Sequence, residues 1–268
     1  MRLALIGCGN MGFAMLKGWL AAQVVTPRGI HVVEPNEALR DRARTLSVNV
    51  SSGPDGLGDF EPQFIVLAVK PQVMRDVAAA YRPHAERGAT FLSIAAGISV
   101  ATLADILGAA APILRCMPNT PAAIGKGLMA LHANSHVTGD ARSFAQRLLA
   151  ANGEVVAIED EELMHAVTAV SGSGPAYLFH FIEALSAAGK AAGLNADQAA
   201  RLAMQTVYGA ACLAAESEET PARLREQVTS PNGTTAAALS VLMGKDGLTK
   251  LITEAVEAAR ARSVELGK

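Results

Sequence analysis

The sequence predicts an α/β protein with an N-terminal parallel sheet carrying helices on both faces, followed by an all-helical C-terminal domain. Three observations predict it. Up to about residue 155, short aliphatic or β-branched runs alternate with helical patterns, which is how a parallel sheet wound with helices is written in sequence. The first run, Leu3-Ala4-Leu5-Ile6, opens onto Gly7-Cys8-Gly9-Asn10-Met11-Gly12 and then onto a helical stretch from Phe13 to Leu20. Beyond Asp160 the strand signals stop and the chain becomes helical and alanine-rich, a composition shift that marks a second domain. The domains expected are residues 1–159 and 160–268.

The glycine turn follows a strand and opens a helix, which is the context its chemistry requires. Gly7 lets the chain turn, Gly9 lets the backbone approach a pyrophosphate, and Gly12 lets helix and strand pack closely. The helix end presents free N–H groups to phosphate. This is a dinucleotide-binding, Rossmann-type pattern. A second strand, Ile30 to Val33, ends in Glu34, 22 residues past Gly12, where a ribose-binding acid is expected. A carboxylate there accepts from the ribose 2'-OH and repels a 2'-phosphate, which on charge alone favours NAD(H). Arg40 and Arg42 on the next helix offset part of that repulsion, so NADH and NADPH both stay open.

Three more strand candidates follow, Phe64 to Val69, Thr90 to Ile94 and Pro112 to Cys116. Sheets of this kind hold ligands beyond the carboxyl ends of their strands. The third candidate runs into Lys70-Pro71, with Pro71 suited to a helix start and Lys70 either near the cofactor phosphates or solvated. The fourth ends in Ser93-Ile94-Ala95-Ala96-Gly97, small residues that admit a flat ring or a backbone. The fifth runs into Met117-Pro118-Asn119-Thr120-Pro121, where two prolines stiffen a loop carrying Asn and Thr.

Composition narrows the function classes. Of 268 residues 50% are hydrophobic and 18% charged, and the mean hydropathy is +0.26, more apolar surface than a monomer hides easily, so an oligomer is expected. The net charge of -2 and the lack of a Lys/Arg run argue against a nucleic-acid partner. No apolar run approaches the roughly 20 residues of a membrane helix, and the N-terminal run reaches glycine too soon for a signal peptide. Cys8, Cys116 and Cys212 lie far apart without a C-x-x-C, which suits a reducing cytoplasm rather than a disulfide framework or zinc site. His132 and His136 have helical ligand spacing, but Ala133-Asn134-Ser135 between them reads as loop and no metal is expected.

In the C-terminal part, helical patterns run from Tyr177 to Ala192, from after the capping Asn195 to about Ala215, and from about Leu248. Their small residues and broad apolar stripes suit packing against another subunit. Two loops are expected among them. Val170-Ser171-Gly172-Ser173-Gly174-Pro175-Ala176-Tyr177 combines small residues with a proline at a helix start. Thr229-Ser230-Pro231-Asn232-Gly233-Thr234-Thr235 offers N–H groups, hydroxyls and no negative charge, chemistry suited to a small carboxylate.

These segments, in this order, resemble the pyrroline-5-carboxylate reductases over nearly the whole length. The resemblance rests on Ile6 to Gly12, Ala68-Val69-Lys70-Pro71-Gln72, Ser93 to Gly97, Met117 to Pro121, Ser171 to Tyr177 and Ser230 to Thr235. Asn232 stands where the family usually has glycine, and Asn is the side chain best able to take a left-handed backbone. The resemblance implies a Rossmann domain followed by a helical dimerisation domain that intertwines with its twin, sometimes in a larger ring of dimers, with the site between subunits. It implies hydride transfer from NADPH or NADH to the C=N carbon of a cyclic imine carboxylate, 1-pyrroline-5-carboxylate, giving L-proline. Cofactor contacts are expected from Ile6, Gly7, Gly9, Asn10, Met11, Gly12, Glu34, Ala68, Val69, Lys70, Pro71, Ala95 and Asn119. The substrate carboxylate is expected on Ser230, Pro231, Asn232, Gly233, Thr234 and Thr235, with the Thr235 hydroxyl near the ring nitrogen as the catalytic group. Two other readings compete with this one. A 3-hydroxyacid dehydrogenase of the 6-phosphogluconate type would use a helix lysine, for which Lys190 is the candidate, and a nicotinamide-binding scaffold would not turn over at all.

Overall fold

The computed structural model describes residues 1–267. It divides into two compact units, Met1–Ser173 together with the chain from Ala259 onward, and Gly174–Ala258.

The first unit is built on one eight-stranded sheet. Its strands are β1 (Leu3–Ile6), β2 (Ile30–Val33), β3 (Asn49–Ser51), β4 (Phe64–Leu67), β5 (Thr90–Ser93), β6 (Ile113–Met117), β7 (Gly127–Ala133) and β8 (Gly153–Ala157). The spatial order is β3-β2-β1-β4-β5-β6-β7-β8. Neighbours are parallel except β6 and β7, where Leu114 faces Ala133 and Met117 faces Ala130. Residues 118–126 join these two strands, too few for a crossover, which needs a dozen or more.

The five strand candidates of the sequence fall on β1, β2, β4, β5 and β6. The Phe64 to Val69 and Thr90 to Ile94 candidates stop at Leu67 and Ser93, and the last runs Ile113–Met117. Three strands were not anticipated. β3 is a short polar edge, and β7 is built from Gly, Leu, Met, Ala and His rather than β-branched residues, so neither carries a strong strand signal. β8 begins at Gly153, whose φ of 154° is one that side-chain-bearing residues rarely adopt and which packs against the backbone of Gly127.

Alternation along β1 sends its side chains to opposite faces. Leu3 and Leu5 join a core with Trp19, Val32, Phe64, Val66 and Phe144. Ala4 and Ile6 join a second with Val33, Leu67, Tyr81, Phe91 and Leu103. Helices α1 (Asn10–Ala21), α2 (Glu37–Arg44), α3 (Met74–Ala79), α4 (Arg82–Glu86), α5 (Val100–Leu107) and α6 (Gly139–Ala150) cover the two faces. Trp19 is fully buried, and burying each such large side chain contributes about 2 to 3 kcal/mol. Phe64 meets Phe144 edge-on at 5.1 Å between centroids. His132 lies on β7 with Nδ1 2.8 Å from the Ile158 carbonyl, and His136 follows in a turn whose Asn134 Oδ1 accepts its N–H.

After β8 come α7 (Met164–Val167) and a π-helical turn over Thr168–Gly172. The loop expected from Val170 onward is therefore helical at its start. The Ser173 N–H reaches back five residues to the Thr168 carbonyl at 2.9 Å, and a side chain at Gly172 would run into the Met117 methyl.

The second unit is helical: α8 (Gly174–Ala191), α9 (Ala196–Glu216), α10 (Pro221–Gln227), α11 (Thr234–Leu242) and the larger part of α12 (Leu248–Leu266). Between α8 and α9, Gly193 takes a left-handed φ of 105°. Asn195 and Gln198 then form a reciprocal capping box, satisfying two otherwise orphaned N–H groups. A Cβ on Gly189 would sit 3.3 Å from that of Ala199, so these two helices cross closely. Phe179, Leu202, Met204, Tyr208, Leu213, Val241 and Leu251 are each more than half exposed, an apolar surface of the kind that marks an interaction face. Among the described residues, no helix is long and apolar enough to cross a membrane.

The last turns of α12 pack in the first unit. Ser263 is buried with Oγ 2.9 Å from His165 Nδ1, and the Leu266 carbonyl lies 3.2 Å from where a Cβ would stand on Gly97. On β6, Arg115 is almost wholly buried and pairs with Glu161 at 2.8 Å, and the same Glu161 oxygen accepts from the Val100 N–H at the start of α5. Replacing Arg115 by Met should lower unfolding stability by about 2 kcal/mol, because it strips a partly buried carboxylate of its charge partner. Glu161→Gln should cost less, since the amide oxygen can still accept from Val100. Denaturant titration of the two variants checks the order.

Candidate active site

Two cavities open beyond the carboxyl ends of β1, β2, β4, β5 and β6. The first, of about 580 Å³, is lined by Ile6, Gly7 and Gly9, by Glu34 and Pro35 after β2, by Ala68, Val69 and Lys70 after β4, and by the helical stripe Val73, Val77, Ala80 and Tyr81. The second, of about 400 Å³, is lined by Gly9 to Gly12, Ala68 to Pro71, Ile94 to Ala96, Met117 to Thr120 and Gly172. Gly9, Ala68, Val69 and Lys70 line both. Each position from which the sequence led us to expect cofactor contact lines one cavity or the other.

The three glycines of the turn are needed for three different reasons. Gly7 has φ 88°, and its N–H donates to the Val33 carbonyl at 2.8 Å. A Cβ on Gly12 would lie 2.6 Å from the Gly7 carbonyl oxygen, so that position packs the helix onto the turn. A Cβ on Gly9 would meet nothing within 4 Å; it would stand in open space where the two cavities meet. Gly9 caps α1 without a side-chain bond, and the first intrahelical bond runs from the Phe13 N–H to the Gly9 carbonyl at 2.9 Å. The N–H groups of Asn10, Met11 and Gly12 therefore have no partner in the helix and lie at the positive end of its dipole. This donor set fits a dinucleotide diphosphate.

Glu34 is buried at the base of the turn, 6% exposed. One carboxylate oxygen accepts from the Cys8 N–H at 2.7 Å and the other from the Asn36 N–H at 2.9 Å. Arg42 donates to the carbonyls of Cys8 and Gly9 at 2.9 and 3.2 Å while its guanidinium lies 4.2 Å from the Phe13 ring centre. Arg40 donates to the carbonyls of Glu34 and Pro35. Burial pushes the Cys8 thiol up to about 11, with Glu34 adding to the rise and Arg42 opposing it. Cys8 is thus an inert part of the turn at neutral pH.

Around the second cavity, Asn119 is held from both ends of its amide. Its Oδ1 accepts from the Leu128 N–H at 2.9 Å, and its Nδ2 donates to the Ser171 hydroxyl at 3.1 Å. One side chain thus ties the loop after β6 to β7 and to the π-helical turn. Single-turn π segments are frequent at functional sites.

The Ser230–Thr235 segment belongs to the helical unit. Asn232 has φ 58°, the left-handed value expected of it, and the Gly233 N–H donates to the Ser230 carbonyl at 3.1 Å. Gly233 caps α11 with no side-chain bond, and the first turn carries no acidic residue. The first intrahelical bond runs from Ala237 to Gly233, leaving the N–H groups of Thr234, Thr235 and Ala236 without helix partners.

Several lining residues escaped the sequence reading. Val73, Val77, Ala80 and Tyr81 recur at helical spacing after the third strand candidate, a stripe legible in principle but indistinguishable there from one facing the core. Ser171 gives no local signal of its role, because its bond to Asn119 joins residues 52 positions apart.

Residues 161–266 match the family model for pyrroline-5-carboxylate reductase dimerisation, and residues 2–97 match that for NADP oxidoreductase coenzyme F420-dependent. The pyrroline-5-carboxylate reductase of Pseudomonas aeruginosa is 42% identical over 100% of this chain and 97% of its own, and that of Synechocystis sp. is 44% identical over 100% and 98%. The chain belongs to the pyrroline-5-carboxylate reductase family. The solved pyrroline-5-carboxylate reductase of Coxiella burnetii superposes with a TM-score of 0.92 at 34% identity over 100% of this chain and 98% of that one. The Plasmodium falciparum structure, described with NADP bound, gives 0.86 at 28% identity over 100% and 98%. As a pyrroline-5-carboxylate reductase the chain is a homo-oligomer, and the exposed apolar residues of α8, α9, α11 and α12 are in keeping with that. Family membership also sets aside the hydroxyacid dehydrogenase reading. Its lysine candidate, Lys190, lies in the last turn of α8.

Two glycine variants separate fold from ligand in this reductase. Gly12→Ala should destabilise by about 2 to 3 kcal/mol through the clash with the Gly7 carbonyl. Gly9→Ala should cost no more than about 1 kcal/mol yet weaken NADH binding at least about tenfold by filling the space a phosphate needs. Thermal unfolding and fluorescence titration of each variant read the two effects.

Proposed function

We propose that the two cavities hold the cofactor end to end and that the loop opening α11 holds the substrate carboxylate. As a pyrroline-5-carboxylate reductase, the chain reduces 1-pyrroline-5-carboxylate to L-proline, consuming one NAD(P)H and two protons, one that charges the imine nitrogen and one that leaves the product nitrogen as an ammonium. The observation that carries the cofactor reading is the trio of unpartnered N–H groups at the start of α1, standing where the two cavities join. Ile6, Gly7, Glu34, Ala68 and Val69 flank the adenosine side. Gly9, Asn10, Met11, Gly12 and Lys70 face the diphosphate, with the Lys70 ammonium adding positive charge. Pro71, Ala95 and Asn119 border the nicotinamide. When bound, the reduced nicotinamide supplies the hydride that reaches the imine carbon.

The protein's task is alignment. A protonated imine is already electrophilic, so holding donor and acceptor in contact and excluding water supplies most of what the reaction needs. Ser230, Pro231, Asn232, Gly233, Thr234 and Thr235 form a turn without negative charge, whose free N–H groups suit the substrate carboxylate. The Thr235 hydroxyl is assigned to the ring nitrogen, where it donates a hydrogen bond or passes on a proton. We assign dinucleotide binding to residues 1–159, and dimerisation with substrate binding to residues 160–268. The two copies intertwine their C-terminal helices, and dimers of this kind can close into a larger ring. The compartment assigned is the cytoplasm, in keeping with the free thiols Cys8, Cys116 and Cys212.

The decisive assay follows the loss of reduced-nicotinamide absorbance with 1-pyrroline-5-carboxylate. Rapid oxidation with proline formed in equal amount is expected; none, from folded protein that binds the cofactor, rejects the reading. Thr235→Ala should lower kcat about a hundredfold or more with little change in NAD(P)H affinity, and unchanged turnover would remove Thr235 from the chemistry.

A further inference from the structure

We propose that Glu34 closes the ribose end of the first cavity to a 2'-phosphate and makes NADH the preferred cofactor, an inference that rests on the NAD(P)H reading above. The carboxylate is fixed by two backbone donors, Cys8 and Asn36. It cannot turn aside for an incoming anion without unlatching the glycine turn and leaving both N–H groups unpaired. At 6% exposure it is screened by little water, so a second negative charge beside it is repelled strongly. Its remaining lone pairs can accept only from a donor. A ribose hydroxyl is one, and a largely dianionic phosphate is not.

The cations that would answer a 2'-phosphate are already engaged. Arg42, on the helix after β2, is spent on the Cys8 and Gly9 carbonyls and laid over Phe13, and Arg40 is spent on the Glu34 and Pro35 carbonyls. Neither arginine lines the cavity, whereas Glu34 and Asp76 both do. Lys70, the cation in that lining, also borders the second cavity, which places it at the diphosphate rather than at the ribose. The sequence left this choice open because it shows two arginines near Glu34 and not where their hydrogens go.

The test is binding, read by nicotinamide fluorescence on the unaltered protein. NADH should bind about tenfold or more tightly than NADPH, and 5'-AMP should displace NADH at concentrations where adenosine 2',5'-bisphosphate does not. Glu34→Gln keeps the shape and removes the charge, so NADPH should gain about tenfold while NADH loses only a few-fold. NADPH binding as tightly as NADH to the unaltered protein, or Glu34→Gln weakening both cofactors alike, would overturn the inference and leave the reductase reading standing. Binding of neither dinucleotide would overturn both. If Glu34→Gln does not fold, the two comparisons on the unaltered protein decide.

Discussion

The first unit depends on one constraint, the left-handed backbone at Gly7. β1 ends there and must turn into α1 within three residues, directly beneath the chain leaving β4. The turn is held from every side: by the Val33 carbonyl on the Gly7 N–H, by Glu34 on the Cys8 N–H, and by Arg42 on the carbonyls of Cys8 and Gly9. The ends of β2 and α2 thus fix the exit of β1. A Cβ on Gly7 would sit 2.7 Å from the Ala68 carbonyl, so even the smallest side chain would push β1 and β4 apart at the point where both cavities begin.

Much of this could be read from the residues. The five buried strands reveal themselves because each is aliphatic and ends in a turn signal, and the glycines at 7, 9 and 12 name their own jobs. Asn195 and Asn232 do what small polar side chains do, one as a cap and one in a left-handed turn. What stayed hidden depends on partners distant in the chain. β3 and β7 are strands because a neighbour's edge waits for them, not because their residues prefer extension. The Asn119 to Ser171 bond spans 52 positions, and no local pattern announces it. The destinations of Arg40 and Arg42 are likewise tertiary facts, although their charges are plain.

The two units carry the same backbone device in different surroundings. Both use a helix start capped by glycine, with no acidic side chain in the first turn of α1 or α11. Around α1 the lining is largely aliphatic, with room for a large cofactor. At α11 the turn carries Ser230, Thr234 and Thr235, suited to a small polar carboxylate.

α12 begins in one unit and ends in the other. Its last turns bring Ser263 to His165 and lay the Leu266 backbone beside Gly97, next to Ala95 and Ala96 in the wall of the second cavity. The first unit is therefore discontinuous in sequence, completed by the chain from Ala259 onward. It cannot be lifted out as a contiguous cassette, nor joined to a foreign helical partner, without supplying a substitute for that closing segment.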